Sequence, residues 1–489
     1  MDHVSKYARF SWRGAAVSVE RRRCEAAGSR RESGLTKRRR ITLPRKDPRA
    51  IACQILRSLE RPGVRLNHEL ASRGAALEDK RDLRLATELV YGTLRHLSEL
   101  DYHVERLSGL SLGRIQADLL PPLRIGLYQL LYLSRIRPSA AVYESVRLAS
   151  FIAGPRPAGF VNAVLRRAAE KRYLLKLPPE NHDRVAGLSL RHSVPYWIVS
   201  RWLERLGDPD TCALLETFGL PSPLTLWVNP LRGVPEHLVD ELATEGIQSE
   251  LSQRLPGSLR ILRGNPARSR AFLEGKGYLQ DEASQIIPRL LDARPGETVL
   301  DLCAAPGGKS FALACAVGPY GVVVAADRSL RRLKKLQSNC DRLQIPWVLL
   351  LAADFERTAP FVLRFSGVLL DAPCTGTGTL GRHPELRWRL RPADLSSLVR
   401  RQRTLLETAA GLVGPGGRIL YSVCSLEAEE GEEQIEALLK VHPEFRVGDL
   451  HPLVPALLAD AVTSEGYFRT WPHRHGMDGF FAARLERSG

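Results

Sequence analysis

The hydrophobic positions of residues 47–172 recur at the spacing of amphipathic helices. Ile51, Ile55 and Leu59 lie four residues apart, and helical spacing returns between residues 85 and 104. Glycine and proline residues separate these stretches, and alternating runs of β-branched residues are almost absent. The pattern predicts a small all-helical domain over residues 45–177.

The pattern changes to a mixture of strands and helices between residues 178 and 265. Short apolar runs typical of strands occur there beside stretches with helical spacing. We predict strands over residues 224–228, 248–251 and 258–262, and helices over residues 195–206, 212–218 and 235–245. This region is expected to form a small α/β module.

Short apolar strands alternate with helices from residue 266 to residue 489. The predicted strands cover residues 298–303, 322–327, 347–352, 367–371 and 418–423, and the helices cover residues 310–317, 329–343, 394–412 and 429–441. Such alternation favours a parallel sheet covered on both faces, so we expect a Rossmann-like α/β domain. Residues 466–471 and 479–485 alternate like a terminal hairpin.

The length and composition agree with a multidomain protein. The chain has 489 residues, of which 44% are hydrophobic and 26% are charged, so packed cores are expected rather than disorder. No run approaches the ~18 uncharged apolar residues of a membrane helix, and the first residues contain no apolar signal region. We therefore expect a cytoplasmic protein with no membrane association.

The eight cysteine residues show no metal-binding pattern. No two of them are two to four residues apart, which disfavours structural zinc. A disulfide scaffold is not expected in a long chain without a secretory signal. We predict no metal, and each cysteine is a candidate buried thiol or nucleophile.

The positive charge is concentrated at the N terminus. The net charge is +17, and residues 1–49 hold 15 Lys and Arg against 5 Asp and Glu. Residues 1–44 are therefore predicted to form a basic disordered tail, either a nucleic-acid-binding arm or a non-essential extension. The remaining chain is still basic, which weakly favours an acidic polymer as partner.

The first strand of the α/β domain runs into a glycine-containing turn. The segment Ala304-Ala-Pro-Gly-Gly-Lys-Ser310 leads into a helix, where a ligand can approach the backbone closely. Asp327 ends the next strand, nineteen residues after Gly308, and can accept hydrogen bonds from both ribose hydroxyls of an adenosine. Asp354 follows the third strand and is placed to meet the adenine amino group.

Three classes of ligand are considered for this turn: a nucleoside triphosphate, a dinucleotide and S-adenosylmethionine. A Walker-type phosphate loop needs glycine at position 303, where Cys303 stands, and the dinucleotide fingerprint G-x-G-x-x-G is absent. S-adenosylmethionine (AdoMet) needs only a glycine-bearing turn and the ribose carboxylate, so it fits best. On the Gly-Gly pair alone, a generic α/β turn without a ligand remains the alternative.

Two cysteines follow the ends of the fourth and fifth strands. Cys374 lies just after Asp371, and Cys424 follows strand 418–423, so both are expected at the ligand-binding edge of the sheet. A thiolate that adds to carbon 6 of cytosine makes carbon 5 nucleophilic enough to accept a methyl group. Asp371 is placed to meet the N3/N4 edge of the ring in that reaction.

At this point the chain resembles a known family. The segments Asp301-Leu-Cys-Ala-Ala-Pro-Gly-Gly-Lys309, Asp371-Ala-Pro-Cys374-Thr-Gly-Thr-Gly and Tyr421-Ser-Val-Cys424-Ser are similar to motifs of the RNA cytosine-C5 methyltransferases of the NOL/NOP/Sun family. Residues 280–285 and 478–481 extend that similarity. Residues 82–95 and 159–166 resemble the NusB-like RNA-binding domain. The resemblance covers residues 48–484 and implies an all-α NusB-like domain before an AdoMet-dependent catalytic domain.

The resemblance also implies roles for individual residues. Cys424 matches the nucleophile of these RNA enzymes, and Cys374 matches the cysteine that helps to release the product. Lys309 and Asp371 match residues that line the pocket of the base and the methyl group. The implied AdoMet-binding positions are Cys303, Ala304, Ala305, Pro306, Gly307, Gly308, Lys309, Asp327, Asp354 and Asp371. Val423 stands where the family usually has Thr, and Gly381 where it often has Arg.

The implied substrate is 16S rRNA free of the assembled subunit, methylated by a monomer. An Arg-rich cluster after Cys374 is interpreted as an RNA contact; it contains Arg382, His383, Arg387, Trp388, Arg389 and Arg391. Acidic residues 427–433 are interpreted as first-turn acids that suit a helix dipole. The alternative function is a non-catalytic RNA-binding or antitermination factor with a vestigial methyltransferase domain.

Overall fold

The computed structural model describes residues 46–61, 63–178, 183–357 and 359–489. The predicted basic tail, residues 1–44, lies outside these ranges. The described residues form two compact units. The first unit contains the residues up to Gly219 together with His383–Arg389, and the second contains Leu220–Arg382 and Leu390–Gly489.

The first unit is helical, as the periodicity predicts. Asp47 begins the first helix by accepting hydrogen bonds from the backbone N–H groups of Arg49 and Ala50. Apolar side chains from the successive helices, among them Leu89 and Leu165, share one core. The helices are Pro48–Leu59, Leu66–Gly74, Lys80–Arg95, Leu97–Ser108, Leu120–Tyr132, Pro138–Ala153, Pro155–Lys171, Arg184–His192 and Tyr196–Gly219, and the last is kinked at Gly207.

The segment His383–Arg389 is packed within the first unit, and it includes the short helix Leu386–Arg389. Arg387 is fully buried and donates hydrogen bonds to the carbonyl oxygens of His192 and Phe218. The indole N–H of Trp388 donates to the carbonyl oxygen of Leu94. The interpretation of Arg387 and Trp388 as RNA contacts is therefore wrong, since both side chains are enclosed by protein and hydrogen-bonded to its backbone.

The second unit contains a small antiparallel sheet of four strands, in the order β2–β3–β1–β4. The strands are β1 (Leu224–Val228), β2 (Gln248–Leu251), β3 (Ser258–Arg263) and β4 (Gly277–Leu279). The helices Pro235–Thr244 and Arg270–Leu273 belong to the same region. The first three strands agree with the sequence prediction, whereas β4 was missed because three residues carry no alternating pattern.

The larger sheet has the order β10–β12–β9–β8–β5–β6–β7, with β11 paired to β12. Its strands are β5 (Thr298–Asp301), β6 (Val322–Asp327), β7 (Val348–Ala352), β8 (Phe365–Asp371), β9 (Val413–Val423), β10 (Phe445–Val447), β11 (Phe468–Arg469) and β12 (Phe481–Arg487). Strands β5 to β9 are parallel, and β12 pairs antiparallel with β9.

Helices accompany this sheet on both faces: Glu282–Leu290, Gly308–Val317, Leu330–Leu343, Pro392–Leu412, Glu432–Val441 and Pro472–His475. Val299 and Leu300, which are neighbours on β5, belong to two different hydrophobic clusters, as expected for a strand buried on both sides. From the central strand β5, the strands β6 and β7 follow on one side of the sheet, and β8 and β9 follow on the other side. A crevice is therefore expected beyond the carboxyl end of β5.

None of the helices in the described ranges is long and apolar enough to cross a membrane.

Candidate active site

A cavity of 460 Å³ lies in the second unit, at the carboxyl ends of the parallel strands. It is lined by nearly all the site residues that the sequence predicts: Cys303, Ala304, Ala305, Pro306, Gly308, Lys309, Asp327, Asp354, Asp371, Cys374 and Cys424. The remaining lining residues come from the segment before β5, from the end of β5, from the loops after β6, β7 and β8, and from the helices Leu330–Leu343 and Pro392–Leu412. The structure thus brings together predicted site residues that are up to 121 positions apart in the sequence, Cys303 and Cys424.

Gly307 is the one predicted site residue that does not line the cavity. Its φ of +112° lies in the region that favours glycine, and a Cβ there would come within 2.3 Å of the Phe311 ring. Gly307 therefore shapes the turn at which the helix Gly308–Val317 begins, and its neighbours face the cavity.

Two carboxylates lie where the sequence predicts a nucleoside. Asp327, at the end of β6, is buried and accepts a 2.9 Å hydrogen bond from the backbone N–H of Ser329. The guanidinium of Arg332, which the sequence analysis did not single out, lies 3.0 Å from the Asp327 carboxylate. Asp354, after β7, is 39% exposed at its side chain, so it is open to a ligand.

Asp301 is a buried carboxyl group for which the sequence pattern indicated no role. Its carboxylate accepts a 2.7 Å hydrogen bond from the hydroxyl of Ser310, in the helix that follows the turn. Burial raises the pKa of Asp301 to about 7, and the nearby negative charge of Asp371 adds to that shift. The hydrogen bond ties the end of β5 to the first turn of the helix Gly308–Val317.

Lys309 and Asp371 form a partly buried ion pair beside the cysteines. The ammonium of Lys309 lies 2.7 Å from Asp371 Oδ2 and 3.1 Å from the hydroxyl of Ser284. The hydroxyl of Ser422 donates a 3.0 Å hydrogen bond to Asp371 Oδ1. Both carboxylate oxygens of Asp371 are thus held, and the group is fixed at the carboxyl end of β8.

The two predicted cysteines are adjacent. Cys374 Sγ and Cys424 Sγ are 3.4 Å apart and are not bonded covalently. The hydrogen bond with Cys424 raises the pKa of Cys374, and burial raises it further. Cys374 therefore keeps its proton and can donate it in a hydrogen bond to the sulfur of Cys424.

Val423, where the resembling family usually has Thr, is fully buried on β9. It packs in the hydrophobic cluster that also contains Leu370 and Phe481. An apolar side chain suits this position, and the thiol of Cys424 follows it at the edge of the cavity.

Arg382 holds together three segments near the site. Its guanidinium lies 2.6 Å from the Asp281 carboxylate and 2.9 Å from that of Asp478. It also donates to the carbonyl oxygen of Pro223. These contacts give Arg382 a structural role, and a contact of this residue with RNA stays a prediction. Burial and the charge of Asp478 raise the pKa of Asp281.

The acidic stretch after Cys424 also differs from the prediction. The helix begins at Glu432, and Glu430 lies in the short 3-10 turn Ala428–Glu430 that precedes it. Glu430 is fully buried and accepts hydrogen bonds from Thr375 and Gln402. The prediction that Glu430 is a first-turn acid of this helix is therefore wrong.

Gly378 offers a test of how tightly the loop after Cys374 packs against the segments of Cys424 and Gly479. Its N–H donates to the carbonyl oxygen of Cys424, and a Cβ at this position would come within 2.0 Å of the Gly479 carbonyl oxygen. We expect Gly378→Ala to destabilise the second unit by about 1–3 kcal/mol, because backbone atoms must move. Thermal unfolding should show a melting temperature lower by several degrees.

The matched control is Gly411→Ala, in the helix Pro392–Leu412. A Cβ there meets nothing closer than Arg364 Nη1 at 4.0 Å, and alanine favours helix, so the melting temperature should not fall. Equal melting temperatures for the Gly378→Ala variant and the unaltered chain would contradict the close approach of Gly378 to Gly479.

Comparison with known proteins identifies the family. The family model of the 16S rRNA methyltransferase RsmB/F matches residues 288–486. The NusB family model matches residues 46–170, and that of an RsmF/B-like ferredoxin-like domain matches residues 194–268. The probable ribosomal RNA small subunit methyltransferase B of Synechocystis sp. is 35% identical over 413 residues, which is 83% of this chain and 92% of that protein. The chain belongs to the RsmB/F family.

A relative and two solved structures agree with this assignment. Ribosomal RNA small subunit methyltransferase B of Thermus thermophilus is 36% identical over 90% of this chain and 98% of its own length. The crystal structure of PH0851 has a TM-score of 0.76 and 32% identity, covering 91% of this chain and 99% of that one. A methyltransferase homologue from Pyrococcus horikoshii has a TM-score of 0.54 and 28% identity, over 62% of this chain and 99% of that one.

Membership of the RsmB/F family confirms two predictions. The fold class is confirmed: a helical NusB domain, a small ferredoxin-like α/β module and a Rossmann-like methyltransferase domain. The dependence on AdoMet is confirmed for the family. The cavity suits this donor, because Asp327 and Asp354 supply acceptors at successive strand ends. Among the residues that the structure describes, no group of three or more His, Cys, Asp or Glu could hold a metal ion.

Proposed function

We propose that this RsmB/F-family chain methylates carbon 5 of a cytosine in 16S rRNA through a covalent bond between Cys424 and the base. The observation that supports this most directly is the pair of thiols, 3.4 Å apart, at the cavity beside Asp371. The names of the relatives support 16S rRNA as the substrate, and a monomer in the cytoplasm stays our prediction.

The first step is the attack of Cys424 on the base. Its thiolate adds to carbon 6, and the electron pair of the C5=C6 bond moves so that carbon 5 becomes nucleophilic. Asp371, held by Lys309 and Ser422, is the group we assign to the N3/N4 edge, where the ring must gain a proton or a hydrogen bond. The Cys374 thiol, 3.4 Å away, can donate a hydrogen bond to the Cys424 sulfur.

The donor site lies along the same strand ends. The turn from Cys303 to Lys309 would hold AdoMet, with Asp327 at the ribose and Asp354 at the adenine. When bound, AdoMet would supply an electrophilic methyl group to carbon 5, and its sulfur would keep the electron pair of the broken bond and leave as a thioether. Lys309, Asp371 and both cysteines line the same cavity, so we assign the meeting point of the donor and the base to this part of it.

Release regenerates the thiolate. A base removes the proton from carbon 5, the electron pair of that bond restores the C5=C6 double bond, and the bond from carbon 6 to Cys424 breaks. The Cys424 sulfur leaves with the electron pair of that bond as a thiolate, which the proton of Cys374 stabilises. Cys374 is therefore assigned to the release step.

The test is methyl transfer to unmodified 16S rRNA transcribed in vitro. The full-length protein and methyl-labelled AdoMet should label the RNA, and bisulfite sequencing should find one protected cytosine. Transcripts that carry 5-fluorocytidine should remain covalently attached to the protein, because fluorine at carbon 5 cannot leave as a proton does. Labelling of a ribose or of an exocyclic amine, or no labelling at all, would exclude the proposed reaction.

The alternative of a non-catalytic RNA-binding factor predicts a different result. Calorimetry should then detect no binding of AdoMet. The ion pair of Lys309 with Asp371 and the adjacent thiols of Cys374 and Cys424 instead support the enzymatic function, since RNA binding alone needs none of them.

A further inference from the structure

Glu430 is a buried acid that the chemistry described so far does not use. Its side chain is fully enclosed, although it lies only six residues after Cys424. Glu430 Oε1 accepts a 2.9 Å hydrogen bond from the backbone N–H of Thr375, and Oε2 accepts one from the hydroxyl of Thr375. Thr375 is the residue that directly follows Cys374.

Gln402 extends these contacts to the other side of Cys374. Its amide nitrogen donates to Glu430 Oε1 at 2.9 Å and to the carbonyl oxygen of Pro373 at 2.9 Å. Pro373 directly precedes Cys374. Glu430 and Gln402 therefore hold the residues on both sides of Cys374, and we call these two side chains the brace.

Cys424 is held in a different way. It directly follows β9, a central strand of the larger sheet that pairs with β8 and β12. Its carbonyl oxygen accepts a hydrogen bond from the N–H of Gly378. The sheet thus places Cys424, whereas Cys374 lies in a loop outside the strands. The hydroxyl of Ser425, the residue after Cys424, lies 3.2 Å from that of Thr375, so the two cysteine segments are also in contact through these hydroxyls.

The cost of burying Glu430 indicates that its place has a purpose. Removing a carboxylate from water costs several kcal/mol unless hydrogen bonds replace the lost hydration. Thr375, in the loop of Cys374, supplies two such bonds, and Gln402, which also contacts that loop, supplies a third. An apolar side chain would fill the same space at lower cost but could not accept them.

We propose that Glu430, through Thr375 and Gln402, is a positioning residue that holds the Cys374 thiol against Cys424 for the release step. This inference rests on the proposed covalent mechanism and adds a residue to it. When the bond between carbon 6 and Cys424 breaks, the departing thiolate needs the proton of Cys374 within hydrogen-bond distance. Without the brace, the Cys374 loop shifts, and the methylated base stays attached to Cys424 for longer.

The test compares Glu430→Met with Glu430→Gln. Methionine fills a similar volume but accepts no strong hydrogen bond, whereas glutamine keeps one carbonyl oxygen and the hydroxyl of Thr375 can reverse its role. With ordinary 16S rRNA, we expect Glu430→Met to lower turnover about tenfold or more and to raise the fraction of protein–RNA adduct on a denaturing gel. Glu430→Gln should restore most of the turnover, and both variants should bind AdoMet as the unaltered chain does.

Glu436→Met is the matched control, because Glu436 is an exposed acid on the helix that follows. It should change neither turnover nor adduct. If Glu430→Met fails to fold, Gln402→Met removes the other half of the brace and should also accumulate adduct. Adduct at the level of the unaltered chain in the folded brace variants would overturn the inference, as would a Glu430→Gln variant as defective as Glu430→Met.

The experiment with 5-fluorocytidine distinguishes failure of the role of Glu430 from failure of the proposed covalent mechanism. If the unaltered chain forms no adduct with RNA that contains 5-fluorocytidine, the covalent mechanism itself is wrong. If it forms that adduct but the brace variants release product normally, only the role of Glu430 is wrong.

Discussion

Replacement of Cys424 by alanine is expected to abolish methyl transfer to 16S rRNA, with a loss of about 10⁴-fold or more. Cys374 is not expected to take its place, because burial raises the pKa of its thiol even when the hydrogen bond to Cys424 is lost. Burial, with the nearby charge of Asp301, likewise raises the pKa of Cys303. The measurement is the initial rate of label transfer from AdoMet, with calorimetry to show that AdoMet still binds.

Cys374→Ala is the informative counterpart, since the two sulfurs are only 3.4 Å apart. It should also lose turnover, yet it should form the bond to the base and accumulate a covalent protein–RNA adduct. Cys424→Ala should form no adduct. If the two variants gave the reverse pattern, the roles of the two cysteines would have to be exchanged. Full activity of Cys424→Ala would exclude covalent catalysis by this residue.

The strands of the larger sheet were predictable because their signal is local. An apolar run of five or six residues between helical stretches marks a strand buried on both faces, and the predicted strand 322–327 coincides with β6 (Val322–Asp327). The prediction for β9 began five residues late, at residue 418 instead of Val413. The segment Gly414-Pro-Gly-Gly417 explains that difference, since glycine and proline normally indicate a loop.

The cavity was predictable for a related reason. The carboxyl ends of parallel strands meet at one edge, so residues that follow β5, β6, β8 and β9 must converge. The order of strands and helices along the chain therefore suffices to bring Lys309, Asp327, Asp371 and Cys424 near one another, as the cavity confirms.

Contacts between distant segments could not be derived in this way. Arg387 and Trp388 looked like surface residues because an arginine beside an aromatic residue is typical of RNA sites, and only the fold shows that both are enclosed. Glu430 carried a misleading signal, since acids before a helix usually suit its dipole. Its true partners, Thr375 and Gln402, are 55 and 28 residues away.

Asp371→Asn is expected to lower the methylation rate about 10²–10⁴-fold at saturating AdoMet. Asparagine keeps the shape of the side chain and can still accept a hydrogen bond from Ser422, but it cannot carry a proton or pair with the ammonium of Lys309. Because the rate is measured with the donor site filled, a change in AdoMet affinity does not enter the result. Single-turnover assays should locate the defect in formation of the bond to Cys424.

Lys309→Met should reproduce part of this loss, because Asp371 would lose the cation that lies 2.7 Å from its carboxylate. Ser284→Ala removes only a hydroxyl 3.1 Å from the ammonium, so it should cost less than about tenfold. This order, with Asp371 most sensitive and Ser284 least, is what a carboxylate aimed at the ring requires. If Asp371→Asn formed the covalent bond at the normal rate, its pairing with Lys309 would serve only to maintain the shape of the cavity.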